Sequence, residues 1–423
     1  MKIAVIGSGA REAVLAWKLR QNRSAEDVFV LPGNPGIPNS HPVSALDFPA
    51  IRQFCTEHHV ELIVVGPEKP LSEGIVDFFA GSGIRILGPD REAALLESSK
   101  IRAKEFMQKH RVATAPFRVC SSPCEAMAEI TARRGNLVLK FDGLAAGKGV
   151  FVCSSVAEAK QALGQITATY GVNARIVTEE RLCGEEVSVI GFTDGRDIRL
   201  MQPARDHKRL LDRDKGPNTG GMGAFCPLPL GDGALMADIE RRIVAPTLRG
   251  IQAERLNYRG PIYFGIMVTP EGPQLLEYNV RLGDPETQVI LPSLETDLLD
   301  VILACLDGSL GRTQLSFHER SFVGVVLASQ NYPGSDSEPA EIFGLGDLRD
   351  DTLVFPGAVR DVDRRLFTGG GRVLTLVRGA DDLEKARDAV YAECRKVRFQ
   401  GMQFRRDIGK PDLRESPVPE RGR

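Results

Sequence analysis

The sequence predicts an α/β fold that opens with a doubly wound parallel sheet. Two observations carry this. The first is the apolar run KIAVI at residues 2–6, which gives way to the glycine turn GSGARE and then to a helix bearing Val14, Leu15 and Leu19. The second is recurrence: ELIVVGPE at 61–68 and IRILGPD at 84–90 again run from strand into glycine turn, with helical stretches between them. In such a sheet the loops at the carboxyl ends of the strands carry function. Gly33-Asn34-Pro35-Gly36, Glu68 and Gly88-Pro89 are therefore candidates to line one crevice. A dinucleotide site is disfavoured there, because GSGARE does not satisfy G-x-G-x-x-G and no ribose-binding acid follows a second strand near residue 30.

The sheet unit is expected to fill residues 1–100. A lysine-containing helix, SSKIRAKEFMQKH, then occupies 101–120 and leads to a boundary marked by Pro116. Residues 121–185 read as a small α/β unit: a helix around CEAMAEITA, the strand NLVLKF, a glycine loop, the strand VFVCS, a second helix and the strand RIVTEE. Alternation resumes over 186–324. A last unit, 325–409, holds VGVVLAS, RVLTLVRG and a helix with Leu383, Ala386, Val390 and Val397 on one side. The tail 410–423, KPDLRESPVPERGR, has little to bury and is expected to be disordered.

At 423 residues the chain is long enough for two to four compact units. Its formal net charge is −2 with 26% charged residues, so no bulk field favours nucleic acid or a membrane surface. The basic stretches DHKR and VRFQGMQFRRD are too short to define a phosphate-tracking surface. MKIAVIGSGAREAV lacks the core and cleavage pattern of a signal peptide, and no apolar run approaches the length needed to span a bilayer. The eight scattered cysteines fit a reduced, cytoplasmic setting, and Cys120 with Cys124 lacks the second pair of a structural zinc site. Small-molecule partners are expected.

The chemistry gathers in LLEYNVRLGDPETQ. A strand there would send Glu277, Asn279 and Arg281 to one side, placing two oxygen ligands beside a guanidinium. That set suits a polyphosphate carried on magnesium. Upstream, the loop GLAAGKG offers Gly143, Gly147 and Gly149 for close backbone approach to phosphate oxygens, with Lys148 as a point charge. It is not a G-x-x-x-x-G-K-[ST] loop, because Gly149 follows the lysine. Lys140, on the apolar strand LVLK, must find an anion or reach solvent. In IVTEERLCGEE the backbone around Glu180, Arg181 and Leu182 suits an adenine edge, and Glu186 suits ribose hydroxyls.

The order Lys104, Lys140, GLAAGKGV, EERLCGEEVS, DHKRLLDRDKGPNTGGMGAF, LEYNVRLGDPETQ and GMQFRRDIG resembles the glycinamide ribonucleotide synthetase (phosphoribosylamine-glycine ligase) family of the ATP-grasp superfamily, from residue 1 to about 409. The resemblance implies an ATP-grasp fold with the N-terminal sheet domain, a hinged lid over 121–185, a catalytic core and a C-terminal α+β domain. It implies ATP as the nucleotide, held by Lys104, Lys140, the 143–149 loop, a hinge from Glu179 to Leu182 and Glu186, and magnesium or manganese on Glu277 and Asn279. Arg281, Lys148 and Asp284 are expected near the transferred phosphoryl group or the substrate ammonium. The implied reaction passes the γ-phosphoryl group to glycine's carboxylate, after which the amine of 5-phosphoribosylamine displaces phosphate.

For glycine, the resemblance points to a backbone nest over Asn218, Thr219, Gly220 and Gly221, with Asp212 or Asp214 on the ammonium group; His207 is suited either to bind phosphate or to organise the loop. For the phosphoribosyl amine it points to Glu68 on ribose hydroxyls, Asn34, and the turn containing Gly9, Arg11 and Glu12 facing the 5-phosphate. A monomer or weak dimer is expected. The N-terminal signature departs from the family's usual GSGGREHA at Ala10 and Ala13, and Leu282 stands where phenylalanine is frequent. These departures raise an alternative, a paralogous ligase acting on a different amine or amino acid.

Overall fold

The computed structural model of the chain describes residues 1–145, 149–231, 233–334 and 337–410. Its first strand shows why KIAVI is apolar throughout. Ile3 and Val5 point into one core while Ala4 and Ile6 point into another, so the sheet is buried on both faces. The strands Lys2–Gly7, Asp27–Pro32, Leu62–Val65 and Arg85–Pro89 are all parallel, with the first between the second and third and the fourth on the far side of the third. This is the doubly wound sheet that the glycine turns predict. At its far edge Gly88 and Pro89 pair antiparallel with Arg259 and Tyr258, so the N-terminal sheet continues into the central one.

The long strand Tyr258–Thr269 organises that central sheet, pairing with Glu185–Thr193 on one side and with Gly272–Asn279 on the other. A separate four-stranded antiparallel sheet carries the helices Pro123–Ala132 and Val156–Tyr170 and closes over its own small core. Ser122 and Ser155 cap those helices by accepting from the Glu125 and Glu158 amides. This sheet includes Phe117–Cys120, paired with Ile176–Glu179, so the unit begins before residue 121 and takes in part of the expected linker. Asp142 ties its root to the core, accepting from Ser99 Oγ at 2.8 Å and from the Ile101 amide at 3.2 Å.

The C-terminal sheet also crosses its expected boundary. Arg205–Asp206 and Gly223–Cys226 join Ser321–Ala328, Arg372–Ala380 and Leu353–Pro356, with the helix Leu383–Cys394 packed on them. Strand pairing at residues 205–226 therefore carries part of the glycine-rich segment into the C-terminal unit. Gly147, Lys148 and the tail 411–423 lie outside the described residues.

Candidate active site

The hairpin Tyr258–Thr269/Gly272–Asn279 contains a β-bulge: Gly265 faces Glu277 and Ile266 faces Leu275, leaving Leu276 without an opposite residue. Its carbonyl accepts from Lys140 Nζ at 2.9 Å. The same ammonium lies 2.8 Å from Glu179 Oε1, and Lys104 Nζ lies 3.1 Å from Glu179 Oε2. Two lysines thus converge on one carboxylate, and all three residues are buried. Glu179 is part of the expected hinge, but its side chain serves as the anchor for both cations. The next residue, Glu180, donates its amide to the Pro116 carbonyl at 2.9 Å.

Burial pulls the Lys104 ammonium down to about 8 against the pull of Glu179. Lys104 is charged below that value and neutral above it. The kcat/KM for ATP should therefore fall as pH rises through about 8, and Lys104→Met should remove that limb. A wild-type profile flat across this range would contradict the assignment.

Glu277 and Asn279 sit at the end of the strand and Arg281 just past it, yet the guanidinium returns to the same cleft: its Nη2 donates to Asn279 Oδ1 at 3.1 Å. Arg281 is also 3.0 Å from Glu97 and 3.3 Å from Glu68. Glu97, buried on the helix Arg91–Ser98, accepts the Val280 amide through its other oxygen at 2.8 Å. Burial would raise the Glu277 carboxyl, but Lys100, Lys208, Lys140 and Arg281 together hold it down at about 2. Lys208 is itself 2.7 Å from Glu186, and despite burial the carboxylates of Glu186 and Glu277 push its ammonium well above the usual range.

Glu97, Lys100 and Lys208 were not among the sequence candidates. For two of them a signal exists. Glu97 falls four residues after Ala93 and three after Ala94, on the buried face of its helix, where an acid needs a partner. Lys208 lies two residues after Asp206, and extended backbone sends both to one side.

The glycine-rich segment corrects the expectation of a nest. The Thr219 amide donates to the Lys208 carbonyl (2.7 Å), that of Gly221 to Thr219 Oγ1 (3.0 Å), that of Met222 to the His207 carbonyl (2.9 Å), and that of Gly220 to Tyr332 Oη (2.7 Å). Asn218 is exposed opposite Arg209. The amides of Thr219, Gly220 and Gly221 all have partners within the protein, which fix the loop beside Lys208. Asp212 and Asp214 are also corrected. Asp214 Oδ1 is 2.7 Å from the Arg405 guanidinium, and Asp212 Oδ1 accepts the Arg406 amide at 2.7 Å, so both brace the C-terminal segment. Burial and Arg405 lower the His207 imidazole to about 4, so at neutral pH it is an uncharged loop residue, not a phosphate-binding cation.

A cavity of about 700 Å³ opens beside this cleft, lined by Gly9, Arg11, Glu12, Pro67 and Asp284 among others. Gly9, Arg11 and Glu12 do reach it, but the Gly9 amide is spent on Glu12 Oε2 at 2.6 Å, and Arg11 Nε lies 2.8 Å from Glu12 Oε1. Glu12 fills the space over Gly66, where an added Cβ would fall 2.0 Å from its Oε1. The turn is braced from within and offers no amide cradle at Gly9. Asn34 is likewise a brace: its Nδ2 donates to the Ser8 and Gly357 carbonyls at 2.8 and 2.9 Å, joining the N-terminal turn to the C-terminal sheet unit. Arg372, another unforeseen residue, reaches from that sheet to Asp284 Oδ2 at 2.9 Å and to the Gly220 carbonyl at 2.8 Å. Burial opposes ionisation of Asp284, but Arg372 and Arg11 keep its carboxyl below the usual range. Ala10 and Ala13 are buried in the core, as is Leu282, and none of the three lines the cavity.

A four-stranded lid sheet set over a central sheet, with two buried lysines meeting an acidic strand end between them, defines an ATP-grasp enzyme. Profiles of the phosphoribosylglycinamide synthetase N, ATP-grasp and C domains match residues 1–97, 98–287 and 322–411. A phosphoribosylamine–glycine ligase of Ralstonia nicotianae is 42% identical over 98% of this chain and 100% of its own length. The crystal structure of a phosphoribosylamine–glycine ligase from Thermotoga maritima superposes with a TM-score of 0.83 at 33% identity, covering 96% of this chain and all of that one. A biotin carboxylase from Campylobacter jejuni shares the fold, with a TM-score of 0.69 at 16% identity over 96% of this chain and 94% of its own. The chain belongs to the phosphoribosylglycinamide synthetase family. Among the described residues no helix is long and apolar enough to cross a membrane.

Proposed function

We propose that the chain ligates glycine to 5-phosphoribosylamine at the expense of ATP, through glycyl phosphate, with release of ADP and phosphate. The observation that carries this reading is the junction of two compartments. Arg281 donates to Asn279 at the strand end and lies 3.3 Å from Glu68, whose neighbour Pro67 lines the cavity. A group activated at the strand end is therefore close to an amine held in the cavity.

Lys104 and Lys140 bind nucleotide phosphates from below, and the backbone from Glu180 to Leu182 reads the adenine edge. Lys208 and Glu186 flank the ribose and the terminal phosphate. Arg281 compensates charge on the oxygens of the group in transfer. An ionised Glu277 and the Asn279 side-chain oxygen are oxygen donors suited to a magnesium or manganese ion, and they would be the residues that hold it. Among the described residues there is no cluster of three or more His, Cys, Asp or Glu that would suit an all-protein cage. When bound, the ion neutralises the terminal phosphates. Asp284 faces the amine compartment, and Glu68, next to the cavity-lining Pro67, takes the ribose hydroxyls. Lys148 would add its charge to the phosphates from the loop. We place the enzyme in the cytoplasm as a monomer or weak dimer; the eight free cysteines suit a reducing compartment.

The test is ADP release with glycine and freshly generated phosphoribosylamine, with product mass read in the same reaction. The expected result is glycinamide ribonucleotide in step with ADP. Turnover of a different amine and none of this one would refute the reading.

A further inference from the structure

The spent amides of residues 219–222 leave the amino-acid substrate without its expected anchor, and Asp212 and Asp214 are engaged elsewhere. One carboxylate near the cleft is not engaged. Asp206 lies on the short strand Arg205–Asp206, paired opposite Ala224. Its Oδ1 is enclosed, and among the described residues no donor reaches it. The cations nearest to it are already committed: Lys208 to Glu186 at 2.7 Å, and Arg372 to Asp284 at 2.9 Å. Glu286 adds a second negative group nearby, with its Oε1 accepting from Ser188 Oγ at 2.8 Å.

A carboxylate with one oxygen enclosed and no donor is costly, and a second carboxyl beside it makes the cost greater. Burial and Glu286 accordingly push the Asp206 carboxyl of the empty site well above its usual range, so that it keeps its proton. An ammonium group brings its own donors and an opposite charge, so its binding releases that proton to solvent and leaves a charge pair. The wall around it is close: Gly221 has φ +112°, and a Cβ there would meet Pro285 Cδ at 2.3 Å and Asp206 Oδ1 at 2.7 Å. Lys208, two residues along, feels the charge of both Asp206 and Glu277, so the position is within electrostatic reach of the phosphoryl cleft.

We propose that Asp206 holds the α-ammonium group of the amino-acid substrate, and that the glycine-rich loop acts by fixing Asp206 and Lys208 in place. This rests on the ligase reading above. It predicts recognition of the ammonium and not merely of the carboxylate. Glycolate, which carries a hydroxyl in place of the ammonium, is the control.

The experiment measures kcat/KM for glycine and for glycolate, by ADP release, in the wild type and in Asp206→Asn. The substitution should lower the value for glycine by about 30-fold or more, because it removes one partner of an enclosed charge pair. The value for glycolate and the KM for ATP should stay within about twofold. Asp206→Glu, which keeps the charge but displaces it, should weaken glycine in the same selective way and serves if the asparagine variant does not fold. Equal losses for glycine and glycolate would mark Asp206 as structural and overturn the proposal, as would no loss for either. A wild-type enzyme that turned over no glycine would instead overturn the functional reading on which the proposal stands.

Discussion

Arg281→Ala should lower kcat about 10³-fold while shifting the KM for ATP by less than about threefold. The split follows from where the guanidinium sits. Its partners are Glu68, Glu97, Asn279 and the Leu282 carbonyl, none of which belongs to the lysine cluster around Glu179. Ground-state binding of the nucleotide therefore survives its loss, while charge that develops in the cleft loses its nearest fixed cation. The substitution also strands Glu97. That carboxyl is already raised above its usual range by burial, in spite of Arg281, so without the guanidinium it would take up a proton. Stability should fall by about 3 kcal/mol, and kinetics must be read well below the melting temperature. Glu97→Gln, which keeps the shape but loosens the hold on Arg281, should reduce kcat by about 10-fold with little change in ATP affinity. Unchanged turnover in Arg281→Ala would remove the role assigned to it.

Glu277→Gln should be as damaging for a different reason. Four cations, Lys100, Lys208, Lys140 and Arg281, act on this carboxylate and hold it down at about 2, so it carries its charge throughout the neutral range. Neutralising it leaves an excess of positive charge in the cleft and removes the anionic partner a divalent ion requires. Turnover at fixed magnesium should drop about 10³-fold, and the magnesium concentration giving half-maximal rate should rise. The sign can be checked in the wild type as well: the acid limb of the pH profile should not belong to Glu277, because its proton is lost far below the working range. A variant with normal turnover and an unchanged magnesium requirement would show that this strand end does not carry the ion.

The sequence made legible what obeys short-range rules. Strand and glycine-turn repeats located the parallel sheet because KIAVI is buried on both faces, and period-two spacing brought Glu277 and Asn279 to one side of a real strand. Arg281 reached the same cleft by a different route, from beyond the strand end, through Glu97 and Glu68. The errors share one cause. Asp212, Asp214, Asn34 and the Gly220 amide carry groups suited to a ligand, but partners distant in sequence, Arg406, Arg405, Gly357 and Tyr332, had already taken them. Local composition shows which groups are available and not which are spent. The missed residues mirror this: Arg372 stands on a strand of the C-terminal sheet, and only tertiary packing brings it to Asp284.

The proposed ligation turns on glycine's carboxylate becoming an acyl phosphate in the cleft between the lysines and Arg281. Glycine labelled with heavy oxygen in both carboxylate positions tests this directly. The prediction is that each phosphate released carries one labelled oxygen, transferred when the amine displaces it from the carbonyl carbon. Unlabelled phosphate from a reaction that still forms the amide would contradict the mechanism at its central step.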